Sequence, residues 1–439
     1  MSEHVILVFV PGLRGQDLES MPRLAGLVAG GDRAELGPGC PAVTCPVEAN
    51  MLTGMNAEQH GVVANGFFWR EKNEVEMWTS PNDCILQPQL WDILHKHDPS
   101  LTSATWFMRH TKHCGADYVC TEAPIHNPDG SESLWCYTRP EPLYGELRDA
   151  LGHFPLQHFW GPIANIKSTE WIVASAVEAA GRFRPNLFTV YLPHLDYAAQ
   201  KHGPDSEEAA RSLGELDEEF GKLIDGMNTA YGDADPMWMV VSEYVITPVE
   251  RVSYPNRVLR EAGFLKVRDS EHGTVIDFAE SRAWAMVDHQ VSHVYLRDPS
   301  DADAVGSVIH SDPSIAEVLG GEELAKYDLR HERSGELVAI SHPDAWQAYY
   351  YWLDDAEAPA FARTVDIHRK PGYDPVELFF DPATKSIPLD ATLVRGSHGA
   401  PAVDASQRGV LLCNQRGVFV EGPTADTDVA DIVLRQFGI

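Results

Sequence analysis

The sequence predicts an α/β fold with a central, mostly parallel β-sheet flanked by helices. Short apolar segments rich in β-branched residues alternate with segments of helical periodicity, which is typical of parallel strands joined by helices. The chain has 439 residues, 44% of them hydrophobic, enough for one large core or for two or three smaller ones. No internal repeat or low-complexity linker interrupts the alternation.

We predict strands at residues 5–10, 103–108, 187–192, 237–242 and 409–413. We predict helices at residues 17–29, 46–53, 168–180, 207–227 and 256–262. The first strand, "VILVFV", is uninterrupted and apolar, as expected of a strand that is buried on both faces of a parallel sheet.

A smaller inserted unit is predicted in the second half of the chain. "AWAMVDHQVSHVYLRD" and "PDAWQAYYYWLDD" favour strands of a separate subdomain, and "RGSHGAP" returns the chain to the main sheet. We therefore predict a core over residues 1–256, an inserted cap over 257–389 and a return to the core over 390–439. The aromatic residues of the second motif are expected to build the core of the cap; the alternative is a base-stacking shelf.

Composition excludes several classes of partner. The formal net charge of −31 would repel nucleic acid and anionic membranes, so neither is expected to bind. Such acidity is typical of a solubilising surface in a bacterial protein. The seven cysteines form no C-x-x-C pair, which indicates reduced thiols and a cytoplasmic location. "MSEHVILVFV" lacks the basic segment of a signal peptide, so no signal peptide is expected there. The sequence makes no prediction of the oligomeric state.

Five motifs place polar side chains where a ligand is expected. "VPGLR", "PHLDYAAQKHGP", "VVSEYVITP" and "RGSHGAP" each follow a predicted strand, at the sheet edge where open α/β sheets bind ligands. The fifth, "PAVTCPVEANMLTG", sets Thr44 directly before a helix. The amides and dipole of a helix start suit a hydroxyl nucleophile and the phosphate that it attacks. The alternative is that Thr44 only caps the helix.

The order and wording of these motifs resemble the alkaline phosphatase superfamily, most closely its nucleotide pyrophosphatase/phosphodiesterase-like branch. The resemblance extends from residue 5 to about residue 413, and "PAVTCPVEANMLTG" followed by "HGVVANG" is its most specific part. It implies an alkaline phosphatase-like core and two zinc-type ions that activate the nucleophile and a water molecule. It also implies that Thr44 is the nucleophile and that Asn65 helps to bind a non-bridging phosphoryl oxygen.

At the water-activating ion the sequence keeps most of the family pattern. The family uses Asp, His and His, and the matching positions here are Asp196, Gln200 and His398. Two of these three positions are unchanged. The resemblance therefore implies a surviving cradle for one ion.

At the nucleophile-activating ion the pattern is largely lost. The family uses Asp, Asp and His, and the matching positions hold Pro11, Glu243 and Tyr244. Proline has no side-chain donor and neutral tyrosine is a poor ligand, whereas a catalytic zinc ion needs about three protein ligands. We expect one divalent ion, with zinc as the candidate, rather than two; the alternative is none. A threonine hydroxyl then needs another means of activation.

A substitute ligand is available in "ARTVDIHRKPGYDPVELF". Asp366 and His368 are two residues apart and would share one face of a strand, as metal ligands often do. We predict that His368 joins Asp196 and His398 around one metal ion. The alternative is that this segment is a solvated, charged loop that packs the cap.

Further residues are candidates for substrate binding. Arg14 lies beside a predicted strand end and could grip a phosphate with its guanidinium group; pairing with the abundant acids is the alternative. Phe67 and Phe68 follow Asn65 and could stack on a leaving group, and Tyr244 is expected to contact substrate. The motif "RHTKHC" is predicted to be an ordinary loop, since no second half follows at zinc-finger spacing.

The function predicted from these residues is that of a phosphoric ester hydrolase, a phosphodiesterase or nucleotide pyrophosphatase that acts on a small intracellular molecule. Thr44 would be the nucleophile, and Glu243 could serve as a base for direct attack by water. One alternative is a metal-independent biosynthetic transferase or lyase that uses the inherited phosphate pocket. Another is a non-catalytic ligand-binding homologue.

Overall fold

The computed structural model describes residues 3–78, 81–127, 132–419 and 422–439. The strands are β1 (Val5–Phe9), β2 (Arg33–Gly37), β3 (Gly66–Trp69), β4 (Glu74–Met77), β5 (Ser103–Trp106), β6 (Tyr118–Glu122), β7 (Ile125–His126), β8 (Glu132–Ser133), β9 (Cys136–Arg139), β10 (Leu187–Tyr191), β11 (Met237–Val241), β12 (Thr247–Pro248), β13 (Arg251–Ser253), β14 (Val267–Ser270), β15 (Gly273–Ile276), β16 (Ala283–Asp288), β17 (Val291–Leu296), β18 (Ile315–Gly320), β19 (Leu337–Ser341), β20 (Ala345–Gln347), β21 (Gly396–Ser397), β22 (Gly409–Cys413) and β23 (Thr424–Ala425). The α-helices are α1 (Pro22–Leu27), α2 (Thr44–Thr53), α3 (Ala57–His60), α4 (Leu90–His97), α5 (Leu143–Leu151), α6 (Lys167–Phe183), α7 (His194–His202), α8 (Glu207–Tyr231), α9 (Pro255–Glu261), α10 (Ala302–His310) and α11 (Asp428–Gln436).

A nine-stranded mixed sheet forms the centre, in the order β23-β2-β22-β11-β1-β10-β5-β6-β9. The five strands from β11 to β6 are parallel, and Val5 of β1 lies opposite both Leu187 and Met237. All five residues of β1 are buried, because helices cover both faces of a parallel sheet. The predicted α/β architecture is confirmed.

The parallel order brings three functional segments to one edge of the sheet. β1, β10 and β11 run in the same direction, so their carboxyl ends lie side by side. The chain leaves β10 into α7 and leaves β11 into the segment that carries Glu243. Residues far apart in sequence therefore meet beyond this edge, where open α/β sheets bind ligands.

Four of the five predicted helices are confirmed, as α2, α6, α8 and α9. The helix predicted at residues 17–29 is a 3-10 turn at Gly15–Ser20 followed by the short α1. The helix α7 was not predicted, since "HLDYAAQKH" is short and polar and has no clear apolar period. The long α8 begins where Ser206 accepts a hydrogen bond from the Ala209 amide, at 3.1 Å.

A second sheet of four antiparallel strands, in the order β16-β17-β19-β18, has its own hydrophobic core. The aromatic residues predicted to build the core of the cap are all buried there: Trp346, Tyr349, Tyr350, Tyr351 and Trp352. Their segment contributes only the three-residue strand β20, so the prediction of an extended strand there is wrong. The second sheet lies within the predicted insertion, whose bounds remain a prediction.

The helices and the cysteines bear on the expectations about membranes and about the redox environment. Within the described ranges, no helix is both long enough and apolar enough to span a membrane. All seven cysteines are buried free thiols, which agrees with the predicted reducing environment, and the cellular location remains a prediction.

Candidate active site

A cavity of about 1090 Å³ lies beyond the carboxyl ends of β1, β10 and β11. Its lining includes Thr44, Asp196 and Tyr244, three residues that sequence analysis singled out. Other predicted site residues lie around this cavity or elsewhere in the fold. The cavity is therefore the candidate active site.

Thr44 is the first residue of α2 and lies buried at the cavity wall. Val43, directly before it, has an extended backbone, so the helix starts abruptly at the hydroxyl-bearing residue. The Thr44 hydroxyl lies 3.2 Å from the hydroxyl of Tyr244. Every residue of α2 is buried, which fixes the position of Thr44 relative to the sheet.

Asp196 and Gln200 lie one turn apart on α7 and therefore on the same face. Asp196 accepts a hydrogen bond from the Tyr244 hydroxyl through Oδ2, at 3.0 Å. Burial raises the pKa of Asp196 to about 7. The carbonyl oxygen of Gln200 accepts a hydrogen bond from the Tyr373 hydroxyl, at 2.6 Å.

Glu243 and His398 are both held in the neutral form. Glu243 is fully buried, and burial together with repulsion from Glu48 and Asp196 raises its pKa well above the usual range. Burial and the nearby His289 lower the pKa of His398. The His398 Nδ1 donates to the Ala42 carbonyl oxygen at 2.8 Å, so Nε2 carries the lone pair.

A partly buried ion pair at the cavity wall was not predicted. Glu48 lies one turn after Thr44 on α2 and accepts a hydrogen bond from the Arg109 backbone amide, at 2.7 Å. The Arg109 guanidinium pairs with Glu122 at 2.6 Å and forms part of the cavity wall. The signal that could have identified it was "RHTKHC", a dense group of polar residues just after a core strand.

The segment that contains Arg109 is more than the ordinary loop that was predicted. His110, Thr111 and Lys112 also line the cavity. Phe107 and His110 adopt positive φ angles of 58° and 52°, a conformation that costs energy in residues other than glycine. The loop is therefore held in a defined shape at the cavity wall.

The opposite wall comes from the segment that was predicted to supply a metal ligand. Asp366, His368 and Arg369 line the cavity, but His368 and Arg369 belong to a turn, so the predicted strand with Asp366 and His368 on one face is wrong. The His368 Nδ1 lies 3.3 Å from the Met77 carbonyl oxygen. His289 lies between β16 and β17 and also lines the cavity.

The side chains around Thr44 do not fit a zinc-type ion. Asp196 Oδ1 and His398 Nε2 are buried acceptor atoms with no hydrogen-bond partner within the described chain. A catalytic zinc ion needs about three protein ligands, and the carbonyl oxygen of the third predicted one, Gln200, is bonded to Tyr373. Across the described ranges, no three or more His, Cys, Asp or Glu side chains form a group that could hold an ion. The described residues therefore do not bring His368 into one group with Asp196 and His398, and its role as a ligand stays a prediction.

Three predicted substrate-binding residues are engaged elsewhere. Phe67 is buried in a small apolar cluster with Cys45 and Val62, and Phe68 packs in the core of the second sheet; neither lines the cavity. Arg14 also lies outside the cavity and forms ion pairs with Asp17 and Asp205. Their predicted contacts with substrate are corrected accordingly.

Asn65 supports the start of α2, the helix that begins at Thr44. Its Oδ1 accepts a hydrogen bond from the Cys45 amide at 2.9 Å, at the second residue of α2. Its Nδ2 donates to Asp288 at 3.0 Å. Asn65 is fully buried and satisfies one of the amides that a helix start leaves unpaired. Its contact with a phosphoryl oxygen remains a prediction.

The raised pKa of Asp196 predicts a pH-dependent stability. The folded state keeps this carboxyl protonated up to a pH of about 7, whereas an unfolded Asp releases its proton near pH 4. The folded state binds the extra proton between these values, so stability falls as pH rises from 4 to 7, by on the order of 4 kcal/mol.

Urea unfolding at pH 5 and pH 8 measures this effect. Asp196→Asn should be more stable than the natural protein at pH 8 and similar to it at pH 5. Asp149→Asn, whose side chain is 73% exposed, is the control and should show no such difference. An Asp196→Asn variant that loses stability equally at both pH values would contradict the assignment.

The amino-acid sequence is similar to that of known proteins. A family model described as type I phosphodiesterase / nucleotide pyrophosphatase matches residues 5–374. An uncharacterized pyrophosphatase/phosphodiesterase of Schizosaccharomyces pombe is 24% identical over 211 residues, which is 48% of this chain and 37% of that relative. The chain thus matches little more than a third of this curated relative's length.

Solved structures share the fold. Human ectonucleotide pyrophosphatase/phosphodiesterase 5 has a TM-score of 0.63 and 16% identity, over 99% of this chain and 95% of that one. The murine counterpart, an inactive variant in complex with AMP, has a TM-score of 0.62 and 17% identity over the same shares. Phosphonoacetate hydrolase from Sinorhizobium meliloti, in complex with phosphonoformate, has a TM-score of 0.61 and 16% identity, over 98% and 95%.

Proposed function

Because the chain belongs to the type I phosphodiesterase / nucleotide pyrophosphatase family, we propose that it is a phosphoric ester hydrolase with Thr44 as its nucleophile. The observation that carries the proposal is the position of Thr44. Thr44 is the first residue of a buried helix at the wall of a large cavity. Its hydroxyl is hydrogen-bonded to the hydroxyl of Tyr244. A helix start favours the anionic phosphate at this point.

The cavity supports a small nucleotide-like phosphodiester or pyrophosphate as the substrate. Arg109, Lys112 and Arg369 place cationic groups in its wall, where Arg109 pairs with Glu122 and Arg369 with Asp366. Phe159 and Trp160 add aromatic surface to the same wall, which suits a planar group on the ester. The AMP complex of the murine neighbour agrees with a nucleotide-like ligand.

Release of p-nitrophenol from bis-p-nitrophenyl phosphate tests the proposal. We expect turnover by the natural protein, a loss of at least about 1000-fold in Thr44→Ala, and partial retention in Thr44→Ser, which keeps a hydroxyl.

Thr53→Ala is the matched control for this experiment. Thr53 is buried at the other end of α2, where its hydroxyl donates to the Ala49 carbonyl oxygen and accepts from the Met55 amide. It should keep the natural rate. Equal rates in Thr44→Ala and the natural protein would rule out Thr44 as the nucleophile, and no turnover by folded natural protein would refute the hydrolase function for this ester.

A further inference from the structure

Three buried oxygen atoms form a hydrogen-bonded chain that ends at the nucleophile. The Tyr244 hydroxyl lies 3.0 Å from Asp196 Oδ2 and 3.2 Å from the Thr44 hydroxyl. A tyrosine hydroxyl has one proton, and above a pH of about 7, where Asp196 is ionised, the carboxylate can only accept. In that state Tyr244 donates to Asp196 and accepts from Thr44.

The position of Tyr244 in this chain is fixed by packing. Its ring stacks on the His398 ring with centroids 3.5 Å apart and planes 5° from parallel. The His398 ring is itself held by its hydrogen bond to the Ala42 carbonyl oxygen. The hydroxyl cannot swing away without losing this stack, and a hydrogen-bond network fixed in advance is what proton transfer requires.

Tyr244 also occupies the position where the family pattern has a metal-binding histidine, and the side chains around it do not fit an ion. Its hydroxyl contacts the nucleophile directly. We propose that Tyr244 relays the Thr44 proton to Asp196, so that this site activates its nucleophile without a metal ion. The proposal rests on the hydrolase function proposed above and adds the means of activation.

The two steps of the reaction balance. In the first, Thr44 Oγ1 bonds to phosphorus and the bond to the leaving oxygen breaks; the Thr44 proton passes to Tyr244 while the Tyr244 proton passes to Asp196. The leaving alkoxide takes a proton from water. In the second, a water oxygen bonds to phosphorus and the bond to Thr44 breaks. Asp196 returns its proton through Tyr244 to Thr44, and the water releases one proton to solvent.

The variant Tyr244→Phe tests the relay, because it keeps the stacked ring and removes only the hydroxyl. With EDTA-treated protein and bis-p-nitrophenyl phosphate, we expect kcat to fall by about 100-fold or more while KM changes less than about threefold. A merely structural tyrosine would alter stability or KM and leave kcat unchanged. Tyr231→Phe is the control, since that buried hydroxyl bonds only the Pro185 carbonyl oxygen; its kcat should equal the natural value.

The outcomes separate the relay from the hydrolase function. Natural turnover that survives EDTA and depends on the Tyr244 hydroxyl supports both. An unchanged kcat in Tyr244→Phe overturns the relay and leaves the hydrolase standing. Turnover by the natural protein that EDTA abolishes and zinc restores also overturns the relay and leaves the hydrolase function standing. If the folded natural protein releases no p-nitrophenol, the hydrolase function fails first and the relay is overturned with it.

Discussion

Replacing Lys370 by methionine is expected to lower the free energy of unfolding by about 3–5 kcal/mol. The Lys370 ammonium is 1% exposed and lies 2.8 Å from Asp374 and 2.6 Å from Glu377, both of which are also buried. Burial alone would lower the pKa of Lys370, but the two carboxylates more than offset it and hold the pKa above its usual value. Removing the ammonium leaves two buried carboxyl groups without their cation.

The same change should disturb the cavity. Glu377 accepts hydrogen bonds from the Asp366 amide at 2.9 Å and from the Trp160 indole at 2.6 Å, and both of these residues line the cavity. Lys370 itself does not line it. We therefore expect Lys370→Met to raise KM as well as to lower stability.

Urea unfolding at pH 7 measures the loss, and Lys96→Met on the exposed side of α4 is the control, with a change below about 0.5 kcal/mol. A triple variant, Lys370→Met with Asp374→Leu and Glu377→Leu, should regain much of the stability, because no buried charge is left unpaired. A loss below about 1 kcal/mol in Lys370→Met would contradict the account of the buried triad.

Replacing Gly396 by alanine is expected to cost about 3 kcal/mol and to reduce turnover. A Cβ atom at Gly396 would lie 2.3 Å from the Ala199 carbonyl oxygen and 2.7 Å from the Ile246 Cγ2. Ala199 belongs to α7, and the Arg395 amide donates to the Gln200 carbonyl oxygen at 2.9 Å. The chain can approach α7 this closely only at a glycine.

The position of Gly396 explains why turnover should fall as well. The residue lies two positions before His398, whose ring holds Tyr244, and it contacts the helix that carries Asp196. Moving the strand away from α7 would change the distance between these groups. Gly181→Ala on α6, where a Cβ meets no atom within 4 Å, is the control and should be neutral or stabilising. Equal stability of the two variants would refute the close-approach argument.

The core of the fold could be predicted because its strands are continuous apolar runs. β1, β10 and β11 occur within a residue of their predicted positions, since each is an uninterrupted run that only a buried strand explains. The order of the motifs then predicted that Thr44, Asp196 and Tyr244 lie close together. The helix that carries Asp196 was missed because its short polar sequence has no apolar period.

The chemistry of the site could not be predicted because it depends on contacts between distant residues. The Thr44 hydroxyl meets Tyr244 across 200 residues of sequence, and Arg109 meets Glu48 across 61. Neither pairing has a local signal. Phe68 illustrates the opposite error: its place after Asn65 suggested a ligand contact, but burial against Trp284 and Tyr295 accounts for it.

The stereochemistry of hydrolysis at phosphorus shows whether Thr44 or water attacks first. A phosphorothioate diester that is chiral at phosphorus would be hydrolysed in oxygen-18 water by the EDTA-treated protein. Attack by Thr44 and then by water inverts the configuration at phosphorus twice, so we expect overall retention of configuration. Overall inversion would show a single displacement by water and would contradict the assignment of Thr44 as the nucleophile.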